Sequence, residues 1–415
     1  MLRPYRDVLA YPGALAFSAA GVLARMPMSM VGIGIVLAVS EVYGSYGLAG
    51  QVTAVYVVAH AVCSPQIARL VDTHGQARVM RPAITVAGAG LAALIVVVMV
   101  VGSPWLLYAA AVLTGATIGS VGALVRARWS HVLRDPGAIH TAYSLESALD
   151  ELVFVVGPIL ATVLATTVAP TAGLVVPVVA LLVGGFLLFA QKATEPPSAR
   201  RDPGLSHRHV LRSGGMVVVV VVFIGVGSIF GSTDVATVAF AEEQGAKSAA
   251  GVVLAVFATG SLLAGLGYGA RSWLSPLWKR FATGVVALAV GVSLFLFVTS
   301  LPVLAAVMFV TGFAIAPTLI TGNGLVQQFV ARGQLTEGLT WVGTALGVGV
   351  SVGASVGGAA IDRLGAHGGF MVVMGSAGLA VAATLAALPT LRSSAAERHV
   401  EPAQASVAPN AEPSP

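Results

Sequence analysis

Three carboxylates occupy six consecutive positions inside an otherwise apolar stretch: Glu146, Asp150 and Glu151. Acids four apart share one face of a helix, so Glu146 and Asp150 lie together while Glu151 projects about 100° away. Like charges on one face of an apolar slab resist ionising together, and one of these carboxyls is expected to hold a proton. A group able to be charged or neutral is what a proton-carrying site requires. The available counter-charge is Arg25, placed well inside an earlier apolar stretch. A guanidinium keeps its proton, so a buried one needs a carboxylate or an anionic ligand beside it. Asp150 or Glu151 is the expected partner. Either protonation of the acid frees the arginine, giving a switch, or the pair is permanent and merely orders two helices.

The elements that must hold these groups are membrane helices. Hydrophobic residues make up 57% of the 415, and charged residues only 9%, against roughly 25% in soluble domains. A helix needs about 20 apolar residues to cross the hydrocarbon core. On that ruler the first half has spans near 14–39, 48–67, 83–102, 105–124, 143–166 and 173–190. The second half has spans near 215–238, 249–270, 281–299, 303–321, 338–360 and 368–389. Runs such as 217–222 are continuously apolar, which excludes the alternation of a membrane β-barrel. The expected fold is all-α: twelve transmembrane helices in two six-helix bundles around a central cavity. The first bundle would cover 1–191, a linker 192–212, the second bundle 213–391, and a disordered tail 392–415, which is rich in Ala, Pro, Ser and Glu.

Positive charge fixes the expected orientation. Nineteen of the 22 Lys and Arg residues fall in one alternating set of connections, from Arg3 and Arg6 through Arg69, Arg78 and Arg81 to Arg392 and Arg398. The other set holds only Lys247 and Arg363, and Arg25 stays within a span. By the positive-inside rule both termini are expected in the cytoplasm. The formal charge of +5 is scattered over span ends rather than gathered on one face, so nucleic acid is not an expected partner. One cysteine, Cys63, excludes an intramolecular disulfide and any cysteine-based metal cluster. The first apolar stretch is too long for a cleavable signal and contains Arg25. With nineteen arginines to three lysines, and Ala, Val and Gly dominant, the composition suggests a GC-rich bacterial genome and hence the inner membrane.

The connection between the second and third spans runs from Ala68 to Arg78, with Asp72, Gly75 and Arg78 as its marked residues and Arg81 just beyond. A glycine permits a tight turn, and an acid followed by arginines supplies a charged latch at the surface. This stretch resembles the signature of the major facilitator superfamily, G-x-x-x-D-R-x-G-R-R. Asp72 and Gly75 match in identity and spacing, whereas Ala68 stands for the first glycine, Thr73 for a basic residue, and Gln76-Ala77 for the basic pair. Gly157-Pro158 in the fifth span is similar to the Gly-Pro pair of antiporters in that family. Its physical effect would be a kink with close packing, since proline lacks a backbone donor. The resemblance implies a two-bundle transporter working by alternating access, with Asp72, Gly75 and Arg78 gating its cytoplasmic side.

Several further residues are candidates with two readings each. Arg126 and Arg128, at the end of the fourth span, are placed to pair with Glu146. Asp234 would line an outer vestibule or simply end a span. Asn323, Gln327 and Gln328 would touch substrate in the cavity or mark a helix end, and His60 would pack or relay protons. Gly349, Gly353 and Gly357 form a small-residue face suited to close helix contact.

No P-loop, metal-ligand cluster or nucleophile with a base is visible, so no enzyme and no metal or other cofactor is expected beyond a proton gradient. The partners expected are a small-molecule substrate, protons and the bilayer, with a monomer forming the whole path. The expected function is proton-coupled efflux of a small, mainly apolar compound. A proton symporter importing a nutrient, or a transport-inactive membrane sensor, are the alternatives.

Overall fold

A computed structural model describes residues 3–198, 210–246 and 249–392. The expected tail beyond Arg392, and the middle of the expected linker with Arg200, Arg201 and Arg208, lie outside those residues, as do Lys247 and Arg398. Among the described residues there are helices and no strands. The first half comprises α1 (Arg3–Leu9), α2 (Ala14–Tyr43), α3 (Tyr46–His74), α4 (Gln76–Met99), α5 (Pro104–Ile118), α6 (Val121–Val132), α7 (Pro136–Thr167) and α8 (Ala172–Ala190). The second comprises α9 (Gly214–Glu243), α10 (Ala250–Gly269), α11 (Leu277–Ser293), α12 (Leu301–Gly312), α13 (Ile315–Phe329), α14 (Leu335–Leu364) and α15 (Ala366–Ala386). Counting α5 with α6, and α12 with α13, twelve spans are long and apolar enough to cross a membrane.

Several helices outrun their apolar stretches. The fifth span starts at Pro136 rather than near 143, where Asp135 caps it by accepting a 2.7 Å bond from the Ala138 N–H. The fourth span reaches Val132 rather than 124. Apolar length measures the hydrocarbon crossing, whereas the helix persists wherever caps and inter-helix contacts satisfy its ends. The fourth span is also broken. Gly119 adopts φ 67°, a conformation closed to helix, so α6 leaves α5 on a new axis. The tenth span breaks at the corresponding place, after Gly312.

Each half has its own core. In the first, Phe17 and Trp129 meet edge to face at 4.7 Å, and a second cluster gathers around Ile35, Leu91 and Leu107. The second half is built around Phe223, Phe240, Phe281, Phe295 and Phe370. Ala316 and Ile320 of α13 pack into the first half's core, which docks the two bundles. That docking lies on the face where the chain enters α1 and leaves α15, called here the terminal face.

Candidate functional site: a buried charge cluster beneath a capped face

Arg25 sits on α2 against α7 and is the hub of the site. Its Nη2 donates to Glu146 Oε2 at 2.5 Å, its Nη1 to Asp150 Oδ1 at 2.8 Å, and its Nε to the Gly21 carbonyl at 3.1 Å. The arginine and glutamate side chains are 1% and 0% exposed. Burying such a pair is tolerable only if the remaining lone pairs are satisfied. They are, because Glu146 Oε1 accepts from both Ser18 Oγ and Trp129 Nε1 at 2.7 Å. Glu146 thus accepts from three donors, two on Oε1 and one on Oε2. Asp150 is held between two cations, since its Oδ2 accepts from Arg126 Nη2 at 2.7 Å.

Glu151 has a different setting. It faces across to α10 of the other bundle, where Ser261 Oγ donates to its Oε1 at 2.7 Å. The expected Arg25 partnership with Asp150 or Glu151 therefore resolves to Asp150, with Glu146 added and Glu151 excluded. The expected pairing of Arg126 and Arg128 with Glu146 is corrected as well. Arg126 goes to Asp150, while Arg128 turns toward the terminal face and bonds Gln76 Oε1, the Gln191 carbonyl and Thr194 Oγ1, each at 2.8 Å. The reason is helical spacing: residues two apart in α6 project about 200° from each other, so Arg126 and Arg128 lie on different faces and only Arg126 meets α7.

Besides the Glu151–Ser261 bond, further hydrogen bonds between the bundles lie on the terminal face. Asp72 Oδ2 accepts from the Glu337 N–H at 2.9 Å, capping the start of α14, whose own preceding residue Gln334 supplies no side-chain cap. Gln327 Nε2 donates to Ser130 Oγ at 3.1 Å, and Ser130 in turn bonds the Tyr143 hydroxyl at 2.9 Å. Tyr5, His140 and Thr141 reach the end of α10.

Residues 17–286 match the family model of the Major Facilitator Superfamily, well over half the chain. The chain belongs to the major facilitator superfamily. Solved structures agree with the fold. The human organic anion transporter MFSD10 (TETRAN) is similar at 16% identity with a TM-score of 0.68, covering 94% of this chain and 99% of that one. A bacterial homologue of the iron transporter ferroportin, in its outward-facing state, gives 13% identity and a TM-score of 0.73, with 92% and 99% covered. No match was found among curated protein sequences. This member of the superfamily is a multi-pass membrane protein and a transporter.

The superfamily's signature connection takes a particular form in this member. Gly75, at φ 92°, makes the turn between α3 and α4, and the exposed Arg78 follows it. Gln76, standing where the family pattern has a basic residue, is buried and links the Leu124 carbonyl to Arg128. Glu195, from the connection after α8, accepts from the Ala77 N–H at 2.8 Å and caps α4. Neither Gln76 nor Glu195 was singled out in the sequence, where nothing but the departure from the family pattern at Gln76 marks them. Trp129 was also unforeseen, since its indole N–H has meaning only once α6 is known to turn.

Elsewhere, Gly157 lets α7 close on α2, because a Cβ there would crowd Ser29 and Met30, and Pro158 continues the same helix. Asp234 is exposed on the half of α9 away from the terminal face. Asn323 spends its amide on its own helix, donating to Leu319 O, and His60 bonds Ser64 one turn on. Gln327 is an inter-bundle contact rather than an isolated cavity group. Gly349 and Gly353 press against the backbone of α9 at Ile224 and Ser228, and Gly357 against Ser232.

Proposed function

We propose that this transporter is a proton-coupled exporter of a small, mainly apolar compound, with its terminal face in the bacterial cytoplasm. One observation carries the reading. The two arginines of the cluster are neutralised by Glu146 and Asp150, and Glu151 is left with a hydroxyl as its partner at the joint between bundles. A hydroxyl donates to a carboxylate and accepts from a carboxylic acid equally well, so Glu151 keeps a partner whether or not it carries a proton. Glu146 and Asp150 are each held by an arginine, which donates and cannot accept.

The charge distribution supports a cytoplasmic terminal face; on that reading the bundles dock on the cytoplasmic side in an outward-facing state. In that state a proton from outside neutralises Glu151, the bundles rock, and the proton leaves to the cytoplasm as substrate enters. Of the similar structures, one is described as an organic anion transporter and the other as a homologue of an iron transporter. Here the cationic groups are already occupied, which argues for a substrate without multiple negative charges.

The test is transport in proteoliposomes under an imposed pH gradient, with a panel of lipophilic cations, neutral drugs and small metabolites. Substrate is expected to move opposite to protons. Glu151→Gln is expected to lower gradient-driven flux at least about tenfold while leaving substrate exchange without a gradient, and Asp150→Asn to impair both. Normal gradient-driven flux in both variants would sink the coupling assignment. Substrate moving with protons would make the protein an importer.

A further inference from the structure

The last four carbonyls of an α-helix have no partner within it. In α10 they belong to residues 266 to 269; the Ala270 N–H reaches Leu266 O at 3.3 Å and the Arg271 N–H reaches Tyr268 O at 3.4 Å, and the first bundle supplies further donors. The Tyr5 hydroxyl donates to Leu266 O at 2.5 Å, with Gly265 O at 3.5 Å. Thr141 Oγ1 donates to Gly269 O at 2.8 Å. The His140 ring nitrogen Nε2 lies 3.2 Å from Tyr268 O, and since a carbonyl only accepts, Nε2 carries the hydrogen. Tyr268 O also accepts from Trp273 of the second bundle at 3.0 Å.

The approach is too close for any side chain at Gly269, where a Cβ would meet Ser144 and lie 2.7 Å from the Tyr5 hydroxyl. Tyr5 comes from α1, a short helix that crosses no membrane. Val8 roots that helix in the core of the first bundle, while Tyr5, 5% exposed, extends past it to the second. Burial pushes the Tyr5 phenol up to about 12, so it remains a donor throughout the physiological range.

The geometry points to Tyr5 as a gating residue: α1 is a strap on the first bundle that holds the terminal face shut by capping α10 of the second. His140 and Thr141 are the supporting donors, and Asp72 does the complementary job at the start of α14. When the face opens, Leu266 O, Tyr268 O and Gly269 O each lose their donor from the first bundle, and the Glu337 N–H loses Asp72. Leu266 O and Tyr268 O keep donors of their own bundle. The strap therefore weights the equilibrium between the two access states without touching substrate. The inference rests on the alternating-access reading, though not on the identity of the ion or the cargo.

The experiment measures distances between spin labels on a Cys63→Ala background. One pair spans the terminal face at Arg134 and Ser272, and the other spans the opposite face at Val168 and Val252, all four exposed. Tyr5→Phe removes one hydroxyl, and Thr141→Val gives an independent variant should the first fold poorly. Asp72→Ala tests the other cap, and Tyr11→Phe, at an exposed tyrosine, is the matched control. A hydrogen bond of ordinary strength predicts an approximately three- to tenfold rise in the ratio of terminal-face-open to closed molecules for Tyr5→Phe and Thr141→Val. Tyr11→Phe should leave the ratio unchanged. If Asp72→Ala shifts the ratio while Tyr5→Phe and Thr141→Val do not, the strap is refuted and alternating access stands. If none of the three moves it, both fall.

Discussion

The same pair of spans is joined in opposite ways in the two bundles. In the first, the first and fifth spans, α2 and α7, are held by Arg25 against Glu146 and Asp150. In the second, the seventh and eleventh spans, α9 and α14, meet backbone to backbone. Gly227 and Gly231 of α9 lie against the carbonyls of Leu346 and Val350, and Gly349 and Gly353 of α14 against those of Ile224 and Ser228. One joint is made of charges and hydrogen bonds, which are directional and depend on each partner's charge. The other is made of contact alone, which is short-ranged and unaffected by protonation. The pair of bundles thus has one joint held by ionic groups and one held by close packing.

The comparison breaks most severely at Arg25. Arg25→Ala would leave Glu146 buried and uncompensated, and a loss of about 3–5 kcal/mol is expected, read as a lower unfolding midpoint in detergent. The double variant Arg25→Met with Glu146→Gln removes both charges and should be distinctly more stable than Arg25→Ala. If it is no better, the joint is not ionic in the sense described. Next comes the glycine joint. Gly349→Ala drives a methyl into the Ile224 carbonyl, and an overpacking cost of about 1–3 kcal/mol is expected. That loss should be the same at pH 5 and pH 8, which thermal unfolding at the two pH values would check. The smallest effect belongs to the cap between bundles. Asp72→Ala should cost about 1 kcal/mol and appear more clearly in the access-state ratio than in the midpoint.

Part of this was visible in the sequence and part was not, for physical reasons. Twelve apolar stretches and the alternating positive charge gave the architecture, because hydrocarbon thickness imposes one length on every span. Arg25 announced that it needed a carboxylate, and the four-residue spacing put Glu146 and Asp150 on a common face. Which acids it would meet was not legible, because Glu151 differs from Asp150 by one residue and only the rotation of α7 against α2 decides between them. The turn at Gly119 was hidden within a span read as one helix, and with it went the course of α6 and the reach of Trp129. Contacts between bundles, such as Asp72 on α14 or Tyr5 on α10, depend on docking, and no local pattern encodes that.

The acceptors of the α10 cap are main-chain carbonyls, while its donors are side chains. Every residue type carries the carbonyl, so Leu266 and Tyr268 can be exchanged without deleting the acceptor, provided the helix persists. Tyr5 and Thr141 have no such latitude, since a hydroxyl at that reach is what they contribute. Sequence drift at this contact should accordingly be lopsided, with the second bundle's side varying freely apart from Gly269 and the first bundle's side held nearly still.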